Sequence, residues 1–110
     1  MPFRHIISTA AHDHVFDNAA RNGCLVTLGG LKWISGEPWV ERVLEAAGFQ
    51  AAIIYWTELI SPMVAIDFGD HNIATRAIEA LNGSKFEGYS LTARWHKSVG
   101  NWRSCFASGC

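Results

Sequence analysis

The sequence predicts an α+β domain of the ferredoxin-like type, ordered β-α-β-β-α-β, with a four-stranded antiparallel sheet and two helices on one face. Three observations predict it. Met63 to Phe68 alternates, with Val64, Ile66 and Phe68 on one face and Met63, Ala65 and Asp67 on the other, the pattern of a half-buried strand. Ile73, Ala74, Ala77, Ile78 and Leu81 form one apolar stripe at helical spacing. Strand-like stretches at Cys24–Leu28 and Phe49–Trp56 flank a helix-like stretch at Ser35–Gly48 ahead of this pair, and a further strand-like stretch at Ser90–Trp95 follows it.

The chain has 110 residues, 49% of them hydrophobic, which suits one packed domain rather than a disordered segment. Residues 1–23 are weakly patterned and read as a leader. Phe3, Ile6, Ile7, Val15 and Phe16 give it enough apolar character for a short helix or for docking on the domain. Cys24 to Leu28 reads as the first strand, with Val26 and Leu28 facing the core, and Gly29-Gly30 as a turn. Ser35 to Gly48 reads as the first helix. Pro38 fits its first turn, and Val40, Val43, Leu44 and Ala47 make its buried stripe. Glu37, Glu41 and Glu45 recur every four residues and predict an acidic ridge along that helix.

Phe49 to Trp56 is a second strand, apolar on both faces. The third strand is Met63 to Phe68. Asp70 is suited to N-cap the second helix, and Asn82-Gly83 to end it in left-handed geometry. Leu91 and Ala93 then alternate with Thr92 and Arg94 in a fourth strand. Residues 98–110 read as a tail.

The net charge is −1, which argues against a grip on phosphate over the whole surface. Acidic residues gather in the middle of the chain: Glu37, Glu41, Glu45, Glu58, Asp67, Asp70 and Glu79, against Arg42 and Arg76. Lys85, Arg94, Lys97 and Arg103 make the C-terminal end basic. Cys24, Cys105 and Cys110 have no zinc or redox spacing, and reduced cysteines in an intracellular protein are expected. His12-Asp13-His14 has no second cluster to complete a metal site. No Ser/His/Asp order, Cys/His pair or matched carboxylates stand out. No catalytic residue, metal or cofactor is therefore expected, and no membrane association.

Residues 24–97 resemble an RNA recognition motif (RRM). The matching pattern is Ile66-Asp67-Phe68, then Ala74 to Gly83, then Phe86-Glu87-Gly88, then Leu91-Thr92-Ala93. In that family, exposed aromatics of the RNP1 and RNP2 motifs stack two or three splayed bases. Val26 to Leu31 stands at RNP2 and Ser61 to Phe68 at RNP1. The core-facing positions Val26, Leu28, Ile66 and Phe68 keep the family character. Thr27, Met63 and Ala65 replace the three stacking rings.

The resemblance therefore implies weak or atypical binding of single-stranded RNA, a role in RNA processing and a nuclear or cytoplasmic location. The RNA-facing residues expected are Thr27, Met63, Ala65, Trp56, Arg94, His96 and Lys97. By analogy with the family, Ile53 and Tyr55 point inward and Ile54 and Trp56 to the open sheet face. A strand apolar on both sides also permits the reverse phase. A second implication is peptide binding. RRM variants called UHMs combine degenerate RNP motifs, an acidic first helix and an Arg-x-Phe motif before the fourth strand. Here Glu37, Glu41 and Glu45 would supply the acid and Ser84-Lys85-Phe86 stands at the motif, with Ser84 in place of Arg.

Overall fold

A computed structural model describes residues 3–7, 18–19, 21–30, 37–56 and 64–95, with the backbone alone of Glu37. The elements are β1 (Phe3–Ile7), β2 (Leu25–Gly29), α1 (Glu37–Ala46), β3 (Ala52–Trp56), β4 (Val64–Asp67), α2 (His71–Leu81), β5 (Lys85–Phe86), β6 (Tyr89–Ser90) and β7 (Thr92–Trp95). Strands β1, β3, β4, β2 and β7 form one five-stranded sheet in that order. The four strands expected are β2, β3, β4 and β7, and all their contacts are antiparallel. Phe3–Ile7, expected within the leader, adds a fifth strand, parallel to β3.

The helices cover one face of this sheet. Val26, Leu28, Ile54, Val64, Ile66 and Ala93 from the strands meet Val40, Val43, Leu44, Ala74, Ala77 and Leu81 from the helices in the main core. Trp39, in the first turn of α1, is also buried there. Asp70 accepts hydrogen bonds from the backbone N–H of Asn72 (2.7 Å) and Ile73 (3.2 Å), the N-cap its position predicts. The far end of α1 closes with a Schellman turn. Gly48 takes φ +94°, its N–H reaches the Glu45 carbonyl (3.0 Å), and the Phe49 N–H reaches that of Leu44 (2.9 Å).

The fifth strand decides the architecture of the other face. β2 is antiparallel to β4, and β4 to β3, so β2 runs parallel to β3 and hence to β1. The β2-to-β3 crossover puts α1 on the helix face. The first described residues after β1, 18–19, lie on the opposite face. Ala19 is found there, in a second buried cluster with Leu25, Tyr55 and Ala65. A turn of helix at this point ends at Gly23 (φ +66°), where the Cys24 N–H bonds to the Ala19 carbonyl (2.9 Å).

The phase of β3 is the reverse of the one expected. Ile54 is fully buried in the main core and Trp56 packs against it, while Ile53 and Tyr55 point to the other side. Register fixes this: Ile54 lies opposite Ile66, and Tyr55 opposite Ala65. Both sides of β3 are covered, so hydrophobicity alone does not orient the strand.

Candidate functional site

Two surfaces could carry function. The first is the sheet face away from the helices. Cross-strand partners share a face, so one row runs Ile6, Tyr55, Ala65, Thr27, Arg94, and a second runs Arg4, Ile53, Asp67, Leu25. The sequence expectation that Thr27, Ala65 and Arg94 lie together on this face holds. Their accessibility differs from that expected of a nucleic-acid platform. Ala65 is 0% exposed, Leu25 1%, Tyr55 3% and Thr27 6%. Arg94 and Thr92 stay exposed at the β7 edge. Met63, His96 and Lys97 lie outside the described residues.

Trp56 requires a correction: it is on the helix side, not on the open face. Its indole N–H donates to His5 Nδ1 (3.1 Å), and the two rings stack with centroids 6.2 Å apart. Because His5 Nδ1 accepts, its Nε2 carries the proton, which it donates to the Glu41 carboxylate at 2.5 Å. This chain from α1 through β1 to β3 holds the edge strand in place.

Tyr55 takes the open-face position expected for Trp56. Burial, with a smaller contribution from Asp67, raises its phenol pKa above the usual tyrosine value, and Arg4 partly opposes this. Its place was hidden because both faces of Ala52 to Trp56 are apolar. That double apolarity was itself the signal that something covers the second face.

The second surface is a groove of about 180 Å³ on the helix side. Its walls are Val43, Ala46 and Ala47 of α1, Ala80 and Leu81 of α2, and Ser84, Lys85 and Phe86 leading into the β5–β6 hairpin. Alanine at positions 46, 47 and 80 leaves the space open between the helices. Lys85 is exposed at the wall and Phe86 is half-buried. Phe86 and Tyr89 pack edge-on against Trp39, with centroids 5.5 and 5.9 Å away. The Trp39 indole N–H is buried without a hydrogen-bond partner. Glu87 (φ +51°) and Gly88 (φ +87°) form the hairpin turn, and Glu87 pairs with Arg42 of α1 at 2.9 Å. That pair is largely solvated, so its contribution is small.

The structure thus brings Lys85 and Phe86 to the groove but does not bring the acidic ridge there. Glu41 turns to the opposite flank of α1, toward His5. The reason is helical geometry: Glu41 and Ala46 are five residues apart, about 140° around the axis. Glu45 is exposed, and the Glu37 side chain lies outside the described residues.

A third cluster lies at the start of α2. His71 donates from Nδ1 to the Gly23 carbonyl (2.9 Å) and stacks on Trp95, with centroids 5.3 Å apart. The buried Cys24 thiol has a raised pKa, chiefly from burial and then from Asp67 and Asp70. Among the described residues, no group of three His, Cys, Asp or Glu side chains is placed to hold a metal.

No protein-family model and no curated protein matches the chain. A solved structure described as "Structure of RNA15 RRM" does match, with a TM-score of 0.55 and 18% sequence identity. The match covers 76% of this chain and 98% of that one. The chain therefore has an RRM-like fold, an α+β ferredoxin-like sandwich. At this identity the likeness is one of fold.

Proposed function

We propose that this chain is a protein-interaction module on an RRM-type scaffold, taking up an extended peptide in the groove between α1, α2 and the β5–β6 hairpin. The observation that carries this reading is the burial of Thr27, Ala65 and Tyr55 on the sheet face, where an RRM stacks bases. Stacking supplies about 1–3 kcal/mol per base in single-strand binders. Thr27 and Ala65 have no ring to offer, and the Tyr55 ring is enclosed.

The groove fits one large apolar side chain. Lys85 is the charged group on its wall, so the preferred peptide carries a carboxylate next to that side chain. The alternative of a basic peptide held by the acidic helix has less support, because Glu41 is already bonded to His5.

A panel of displayed peptides selected on the full chain tests this. Sequences pairing Trp or Phe with Asp or Glu are expected, and their binding should fall at least about tenfold in an Ala80→Glu variant, about 1.4 kcal/mol. Selected peptides that bind that variant unchanged would refute the groove.

A second reading, weak binding of single-stranded RNA, is supported by one observation. Arg94 is exposed on the open face beside Thr27, on a strand that pairs with β2 alone among the described residues. A mixed-sequence RNA titration at several salt concentrations addresses it. Binding that weakens with salt and is lost in Arg94→Glu favours RNA; binding indifferent to both excludes this contact.

A further inference from the structure

We infer that His5 is a proton-operated latch on β1, holding the strand to β3 while its imidazole is neutral and releasing it when the ring takes up a second proton. The latch follows from which atoms donate. An indole N–H can only donate, so the Trp56 bond requires a lone pair on His5 Nδ1. His5 Nε2 then carries the proton that reaches the Glu41 carboxylate. One form of the ring alone makes both bonds, the neutral imidazole protonated at Nε2.

A second proton has only Nδ1 to occupy. There it sets an N–H against the indole N–H, and the Trp56 bond is lost. The Nε2 bond to Glu41 survives and becomes an ion pair. The His5 side chain is 10% exposed, so little water can enter to separate the two donors, and the ring shifts toward Glu41 and away from Trp56. Among the described residues, Glu41 is the charged group that faces His5 from α1. β3 presents the indole on this face and Tyr55 on the other. Arg4 and Ile6 flank His5 in β1 and belong to the rows on the sheet face away from the helices.

The position of the latch decides what opens. His5 is the central residue of Phe3–Ile7. Phe3 at one end is 3% exposed in the main core, whereas Ile7 at the other is 56% exposed and lies opposite Trp56. Opening therefore starts at the Ile7 end. Ile6, between His5 and Ile7, packs against the buried cluster of Ala19, Leu25, Tyr55 and Ala65. Loosening that end of β1 removes part of the cover over the second sheet face. Proton uptake in the range where histidines titrate, roughly pH 5–8, thus controls access to that face.

NMR of the full chain across that range tests the inference. The Trp56 indole N–H signal, assigned by its loss in Trp56→Phe, should move along one curve with the His5 ring signals. Backbone protection in β1 should fall about fivefold at the acid end, the equivalent of one hydrogen bond, while protection in α2 holds. Trp56→Phe has no donor to lose, so its β1 protection should already be low at the alkaline end and fall no further. A His5 ring that takes the second proton with the indole signal unmoved overturns the proposal. So does a ring that stays neutral to the acid end in the folded chain, or a fall in β1 protection equally large in Trp56→Phe.

Discussion

Tyr55 lies directly opposite Ala65 in the β3–β4 ladder, and both are buried on the sheet face that the two helices leave free. Ala19 belongs to the same buried cluster. The segment carrying Ala19 therefore acts as a cover over positions that an RRM keeps open. Ala19→Asp puts a carboxylate against this apolar cluster and should destabilise the fold by about 1–3 kcal/mol in urea unfolding. Exposing Tyr55, which shares a cross-strand row with Arg94, should also tighten binding of a single-stranded RNA probe. Equal RNA affinity in the two proteins would mean that the cover is not what limits access.

The Trp56–His5 hydrogen bond gives a second prediction. Trp56→Phe keeps an aromatic ring on the helix face but removes the donor to His5 Nδ1. A loss of about 1 kcal/mol is expected, with amide exchange accelerating first in β1. If β1 exchange is unchanged, the strand does not depend on this bond.

Tyr55 also predicts a pH dependence. Its folded-state pKa is raised, so the unfolded chain loses the phenol proton first as pH rises. The associated stability is fully present below roughly pH 10, the ordinary tyrosine value, and is lost as pH climbs through the folded-state pKa. Stability measured from pH 8 to 11 should fall, and Tyr55→Phe should flatten that fall whatever its effect at neutral pH. A slope unchanged by Tyr55→Phe would assign the alkaline loss to other groups.

Two glycines with left-handed backbones should respond differently to alanine. At Gly30 (φ +76°) a Cβ would lie 2.1 Å from the Ser90 carbonyl oxygen. At Gly48 (φ +94°) the same Cβ meets nothing within 4 Å. Gly48→Ala should therefore carry only the backbone penalty, about 1 kcal/mol, while Gly30→Ala also forces β2 away from β6. Comparable unfolding midpoints for the two variants would contradict the close approach.

The second half of the fold was legible because its signals are local. Asp70 caps the helix it precedes, Gly83 turns out of it at φ +81°, and Val64 and Ile66 face the core as their alternation demands. The stripe of α1 was legible for the same reason, with Val40, Val43 and Leu44 buried as spaced. Of the candidate sites, the sequence put Thr27, Ala65 and Arg94 on one face correctly. It put Trp56 on the wrong one, and it read Glu41 as a free acidic side chain rather than the acceptor for His5.

What the sequence determined alone is the helix-and-sheet sandwich, because side-chain period and capping depend on neighbours a few residues away. Tertiary structure decided three other things: the phase of β3, the placement of Phe3–Ile7 as a fifth strand, and the covering of the second sheet face. Each depends on pairing across long stretches of chain. A strand apolar on both sides has no local preference for which side meets the helices. Only the register with Ala65 and Ile66, together with a parallel strand at the edge, selects one arrangement.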